Sequence, residues 1–370
     1  MTRLGASLAF ELPIFDKVGA QGLGPNQIMS SLERGNTPTV AARLEQLRAK
    51  VPFALDPLNL EGTYTIPPPP EDFNPNTASA TDLIKNGILW KRPTPHDDPA
   101  LIRTWREVFG EKWHPANRIV PVLEPRVGRT HTARPRAKVT NGSYSTANWA
   151  GGVLLGSWTG VVGSWVVPTI GVPPEPPDVF GNWELSTWTG IDGGDLADPS
   201  ASNDVLQAGV TQSITPAGTM SCFPWFEWFA PSYLGSPKYL SETQISNFPV
   251  KPGDAIYCSV MYLNQIAGYI AFANRSTGQT CAMILLAPTS ASVAGNSIEW
   301  IVETPLVATV LAALPQFTPV SFTSAFGCST AGPIGQPSHG GNVANITNTS
   351  GKVFTSTNLL AYNVVVHFQG

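Results

Sequence analysis

The stretch Ser297–Thr304, SIEWIVET, decides how this chain is read. Side chains alternate between the two faces of a β-strand. A strand here puts Ile298, Trp300 and Val302 on one face, which is plainly core, and Glu299, Ile301 and Glu303 on the other. Two acids beside an isoleucine admit two explanations. Either the second face is wet, or it lines a cleft where a carboxylate is put to use. Spacing alone favours the wet face, because charged strand residues are mostly exposed.

The same grammar extends outward. From Ser143 onward, short apolar or alternating runs are separated by Gly, Pro, Asn and Ser: NWAGGVLLG, TGVVGSWVVP, LSTWTGI, DVLQAGVTQSI, PWFEWF, AIYCSVMYL, GYIAFANRSTGQTCAMILL and AYNVVVHF. Strands and turns at this spacing predict an all-β sandwich or barrel. NRSTGQ between two such runs reads as a hairpin turn. The composition agrees, since 34 glycines, 35 prolines and only 13% charged residues favour many short strands over long helices. No apolar run approaches the length of a spanning helix, so no membrane segment is expected.

Residues 1–140 read as a loosely built, partly helical extension, and 141–370 as the β domain. Thr39–Lys50 is a plausible short helix, IPPPPEDFNPN a proline-rich connector, and HDDPALIRTWREVFG a helix capped by Asp97 or Asp98, with Pro99 in its first turn and Gly110 at its end. Glu124–Ser145, basic and polar with two prolines, reads as an exposed linker of the kind proteases cut. The first twenty residues make a poor signal peptide, because Glu11 cuts a short apolar run that already contains Gly and Ser.

Charge divides at the same boundary. The extension holds 18 of the 22 lysines and arginines and has net charge +4, whereas the β domain has net charge −8. Opposite charges suggest that the extension is an intramolecular partner of the domain. Nucleic acid is not an expected partner, because basic residues are almost absent from the large domain. The four cysteines, Cys222, Cys258, Cys281 and Cys328, form no C-x-x-C pair, which argues against zinc. Their even number permits two disulfides without requiring them, and no metal or cofactor is expected. Four N-x-S/T sequons, at Asn141, Asn274, Asn345 and Asn348, matter only in a secretory pathway.

H-E-x-x-H, a phosphate-cradling glycine loop, the D-T/S-G element and the G-x-S-x-G elbow are all missing. Only His339 and His367 lie in the β domain, so a serine–histidine–aspartate triad has poor support. What remains is a set of polar residues on otherwise apolar strands. In VLQAGV, Gln207 points away from Leu206, Ala208 and Val210; in PWFEWFA, Trp225, Glu227 and Phe229 share a face. TWTGIDGG brings Trp188 and Asp192 to a strand end. Buried polar groups are costly unless hydrogen-bonded, so several on one face argue for a lined cleft.

NWAGGVL, TWTGIDGG, VLQAGV, WFEWF and IEWIVE stand in the order found in the glutamic peptidases, or eqolisins, and the stretch from about Tyr144 to about Phe326 resembles that family. The resemblance implies a sandwich of two curved antiparallel sheets, jelly-roll-like, with a substrate groove on the concave side. It implies fungal-type acid endopeptidase activity through a catalytic glutamine and glutamate, which fall on Gln207 and Glu299. Trp188, Asp192, Gly193, Trp225, Glu227 and Phe229 fall on groove positions expected to bind substrate. Where members often read W-Y-E-W-Y, this chain reads WFEWF, so Phe229 lacks a hydroxyl. Residues 1–140 occupy the place of the family's propeptide. The expectation is a monomer made as a proenzyme, acting on polypeptides, and extracellular by resemblance despite the unconvincing signal.

The chemistry is plausible from the side chains themselves. A glutamate can take a proton from water and return it to the leaving nitrogen. An uncharged amide can hold the oxyanion at any pH. Glu303 lies about 13 Å further along the strand at ~3.3 Å per residue, too far to share one reacting bond, and reads as a rim or structural acid. Three alternatives stay open: a tryptophan-lined carbohydrate-binding sandwich, a glycoside hydrolase using Glu227 and Glu299, and an inactive homologue. The glycosidase requires its two carboxyls roughly 5–9.5 Å apart.

Overall fold

A computed structural model describes residues 39–131, 137–140, 143–195, 198, 201–202, 204–230, 242–263, 266–288, 291, 294–329 and 334–370. The apolar run near the N-terminus and the sequon at Asn141 lie outside the described residues.

Among the described residues two large sheets dominate. The front sheet runs in the order Leu123–Pro125, Thr243–Ile245, Met220–Phe229, Val205–Ile214, Trp183–Ile191, Ser297–Glu303, Trp149–Leu155, Asn342–Ile346, Ser143–Thr146, Ala137–Thr140. The back sheet runs Asp56–Pro57, Thr63–Thr65, Gln279–Leu286, Ala267–Asn274, Ala255–Leu263, Gly160–Val166, Val320–Cys328, Asn363–Phe368, Thr355–Leu360. Neighbours are antiparallel except Asn342–Ile346 and Ser143–Thr146, which pair in parallel. This is the expected all-β sandwich, and NRSTGQ is its expected hairpin turn.

The face assignment of SIEWIVET holds. Ile298, Trp300 and Val302 enter the core between the sheets, with Leu206, Ala208, Val210, Phe226 and Trp228 from the front and Ile256, Val260, Phe272 and Met283 from the back. The Trp300 indole also donates to the Val162 carbonyl at 2.8 Å, tying one sheet to the other. Gly163 sits opposite that ring; a Cβ there would lie 3.1 Å from Trp300. The four cysteines are free thiols. Asn274 is wholly buried and its amide is spent on Pro249 and Asp254, so that sequon is inaccessible in the folded chain.

The extension departs from the expectation of loose structure. The two expected helices form, Val40–Arg48 capped by Thr39 and Pro99–Val108 started by Asp98 with Pro99, and a third, Ala80–Lys85 capped by Ser79, joins them without having been expected. These elements pack on the outer face of the back sheet. Leu47, Phe53, Leu55 and Ile66 meet Met261, Leu263, Ile284 and Leu286. Trp90 stacks on Tyr257, with centroids 5.9 Å apart and planes 13° apart. Thr63–Thr65 adds a strand beside Gln279–Leu286. The physical reason lies in the back sheet, whose strands are apolar on both faces and so need cover on both.

The expected exposed linker is also corrected. Leu123–Pro125 is the edge strand of the front sheet, Arg129–Thr130 pairs with Leu306–Val307, and His131 has no exposed surface. Buried carboxylates on the front face draw this basic segment in.

Candidate active site

The strands of Gln207 and Glu299 flank the same neighbour, Trp183–Ile191, and Gly190 is the register partner of both residues. Two strand spacings of about 4.8 Å separate the two backbones. Gly190 keeps the floor between them low; a Cβ there would meet the Gln207 Cβ at 3.1 Å and the Leu206 carbonyl at 3.2 Å. The front face is therefore built in rows. The first reads Glu227, Gln207, Gly190, Glu299, Val153; the second Trp225, Gly209, Trp188, Ile301, Gly151; the third Phe223, Thr211, Ser186, Glu303, Trp149.

Glu299 is fully buried, and among the described residues neither carboxylate oxygen has a hydrogen-bond partner. Burial pushes its pKa well above the ordinary carboxylate value; the nearby Ser297 hydroxyl and Gly194 N–H pull it down, and the Asp192 charge pushes it up. Gly194 N–H donates to Ser297 Oγ at 3.0 Å, and a Cβ on Gly194 would collide with the Glu299 carboxylate. Gln207 donates from Nε2 to Glu227 Oε2 at 3.1 Å and to the His131 carbonyl at 3.2 Å. Both partners accept, which fixes the orientation of the amide.

Glu227 accepts from the Thr130 hydroxyl at 2.6 Å and from the His131 N–H at 2.8 Å. Burial outweighs these bonds and lifts its pKa to about 8. Its backbone stands three strand spacings, about 14 Å, from that of Glu299, and its oxygens are engaged elsewhere.

His131 occupies the middle of the face. Its ring nitrogens contact Glu303 Oε2 at 2.9 Å and Glu242 Oε2 at 2.8 Å, and the ring stacks on Trp225 with centroids 3.7 Å apart. Burial opposes its charge, but the two carboxylates win and raise its pKa to about 10. Glu242 is pushed up by burial and, more strongly, pulled down by His131 and Arg129, ending below its ordinary value. Arg129 pairs with Glu184 and lies 3.4 Å from Glu242. Arg126 sits over the Phe223 ring, 4.5 Å from its centroid, and donates to Gln244 at 3.0 Å.

The remaining expected residues divide into face and support. The Trp188 indole donates to Glu303 Oε2 at 2.8 Å, on the front face. Phe229 lies beyond Glu227 at the same face, opposite Val205. Asp192 instead accepts from the N–H groups of Ala294 and Asn296, and so braces the segment leading into the Glu299 strand. Asp192 and Gly193 both have positive φ, +68° and +83°, at the turn leaving Trp183–Ile191. Of the two readings of Glu303, rim acid or structural acid, the second holds. It is fully buried and accepts from Asn148, Trp188 and His131. Sequence reasoning missed His131, Arg129 and Glu242. His131 precedes the β domain that the sequence pattern delimits, and SETQIS carries no alternation that marks Glu242.

Solved structures similar to the chain include scytalido-glutamic peptidase with a transition state analog inhibitor, 20% identical over 60% of this chain and 98% of that one, with a TM-score of 0.48. SCP-B, a member of the eqolisin family of peptidases in a complex with the tripeptide Ala-Ile-His, is 18% identical over 60% and 98%, with a TM-score of 0.45. Aspergilloglutamic peptidase from Aspergillus niger is 27% identical over 50% and 99%, with a TM-score of 0.43. No curated protein matches the chain. The Peptidase A4 family model matches residues 147–368, well over half the chain, and the chain belongs to that peptidase family.

Proposed function

We propose that this peptidase is made as a closed precursor of an acid-acting endopeptidase, in which Glu299 and Gln207 hydrolyse the peptide bond once residues 126–131 leave the front face. The observation that carries the reading is the pair itself: a buried carboxylate with no hydrogen-bond partner, level with an amide across a glycine. Ionised Glu299 takes a proton from a water, and the water oxygen bonds to the substrate carbonyl carbon. Gln207 N–H groups receive the resulting oxyanion. Glu299 then returns the proton to the amide nitrogen as the C–N bond breaks.

The linker suits the closed state for two reasons. Its His131 carbonyl rests on the Gln207 amide, the group this reading assigns to the oxyanion. Burial also holds the Glu299 carboxyl in its neutral form, in which it cannot act as a base. Entry of water would bring that pKa back toward the ordinary range.

The test is hydrolysis of a denatured protein at about pH 4, close to the ordinary carboxylate value, by the wild type, Gln207→Ala and Glu299→Ala, with the new N-terminus mapped afterwards. Cleavage by the wild type and loss in both variants supports the dyad; unchanged cleavage in both sinks it. A sugar ligand that binds the full chain and survives Glu299→Gln would favour a carbohydrate-binding role instead.

A further inference from the structure

The extension meets the β domain in two ways that differ in chemistry. Residues 126–131 lie on the front face through Arg126, Arg129 and His131, set against Glu184, Glu227, Glu242 and Glu303. Residues 39–120 lie on the other side of the molecule and are held mostly by apolar and neutral polar groups. Two mixed apolar clusters join them to the back sheet. One contains Leu55, Tyr64 and Ile66 with Tyr269 and Ile284; the other contains Trp90, Trp105 and Phe109 with Tyr257 and Phe326.

The polar contacts of this second interface are mostly neutral. Thr104 bonds Ser324 at 2.6 Å, the Tyr269 hydroxyl donates to the Gly87 carbonyl at 2.8 Å, and Ile119 N–H donates to the Thr280 carbonyl at 2.9 Å. Two cations, Arg43 and Lys112, reach across to the backbone carbonyls of Ala287 and Ser276 and need no carboxylate there; Arg118 is spent within the extension on the Asn86 carbonyl. The carboxylates at this junction are Glu107, paired with Arg275 at 2.6 Å and about one-third exposed, and Asp98, which accepts from Tyr362. Thr63–Thr65 adds a backbone ladder with Met283↔Thr65, Ile284↔Tyr64 and Leu285↔Thr63 in register. Protonation of carboxylates leaves the apolar contacts and that ladder in place.

Removing residues 39–120 would uncover two apolar patches of the back sheet, around Met261, Tyr269, Ile284 and Leu286 and around Tyr257 and Phe326. It would also leave Gln279–Leu286, a long apolar strand, as a bare sheet edge. Both are aggregation hazards that folded proteins keep covered.

We propose that residues 39–120 are a permanent cover of the back sheet, and that only residues 126–131 leave when the front face opens. A chain cut after His131 then persists as two polypeptides held together without a covalent link. The cover is a resident part of the active protein rather than an inhibitor to be discarded. This inference goes beyond the proposed function and does not depend on which residues catalyse.

Hydrogen exchange on the intact full-length chain tests it at about pH 7 and about pH 3.5, on either side of the ordinary carboxylate range, with rates corrected for intrinsic pH dependence. Acid should remove protection from the Arg126 and His131 N–H groups, while Ile66, Leu101 and Phe109 stay protected. Equal loss in both regions, or loss in 39–120 first, overturns the proposal. A second version replaces residues 132–136 by the recognition sequence of a site-specific protease and cuts the purified chain. The two fragments should co-elute in equimolar amount in acid as at neutral pH. Release of the N-terminal fragment from a domain that remains folded would overturn it as well.

Discussion

The two parts of the N-terminal extension, residues 39–120 and 126–131, touch the same domain with opposite physics. The first is held by tryptophan, leucine and a sheet ladder; the second by a buried histidine and two arginines among four glutamates. Apolar burial is indifferent to pH, whereas paired buried charges are worth what their protonation states allow. One polypeptide thus carries a constant attachment and a conditional one. What distinguishes them is the face each meets: the back sheet is apolar on its outer side, and the front sheet is apolar with acids set into it.

The pH dependence of the conditional part follows in sign. His131 has a raised pKa, so its stabilisation is complete below its ordinary value near 6.5 and is lost as pH rises through about 10. Glu242 has a depressed pKa, so its stabilisation is present above its ordinary value near 4.5 and is lost as pH falls through the folded value. Docking of 126–131 is therefore strongest between those two ordinary values and weakens in acid. Glu227 runs the other way. Its pKa of about 8 favours the folded state in acid and gives up that contribution as pH rises from the ordinary value through 8. Because Glu227 accepts from Thr130 and His131, it opposes the acid loosening that protonation of Glu242 drives, and the two slopes meet in the linker itself.

Four substitutions would break or sharpen the contrast, taken from the largest effect to the smallest. Glu299→Gln removes the proposed base and should lower acid hydrolysis by about 10²–10⁴, with thermal stability unchanged or raised because an unpartnered buried acid is gone; progress curves on denatured protein and a melting curve read the two. Trp105→Ala attacks the constant attachment. It should cost about 3–5 kcal/mol of stability at acid and neutral pH alike, seen in denaturant melts, and a cost present only at neutral pH would merge the two regions into one. Glu242→Gln attacks the conditional attachment, leaving His131 one carboxylate fewer. It should raise the pH at which the His131 N–H loses exchange protection, with the 63–66 ladder unmoved. Arg126→Ala removes a cation over the Phe223 ring, worth about 0.5–1 kcal/mol, and should shift the same transition by a fraction of a pH unit.

Much of this was legible in the sequence, and the limits are physical. SIEWIVET and VLQAGV expose their period, so the faces of Glu299 and Gln207 and the core role of Trp300 could be read directly. Asp98–Pro99 announced its helix. Periodicity says that a face is apolar but not what covers it. AIYCSVMYL is apolar on both faces, with Tyr257, Met261 and Leu263 on one and Ile256, Cys258 and Val260 on the other. That doubled pattern was the available sign that the back sheet needed a second cover. His131 and Glu242 are 111 residues apart and lie in segments without strand alternation, so nothing local marks them as partners. Glu303 could be read only as a rim or a structural acid, without a choice between them, because its donors, Asn148, Trp188 and His131, come from three separate parts of the chain.

The central claim is that the face holding His131 is the face that cleaves peptides. The most direct measurement is the rate at which full-length wild type, His131→Ala and His131→Ala/Glu299→Gln hydrolyse a denatured protein at about pH 5.5, where the docking of 126–131 is strongest. A closed, nearly inactive wild type, an active single variant and an inactive double variant are expected. Equal rates in wild type and His131→Ala, or hydrolysis that survives in the double variant, would contradict it.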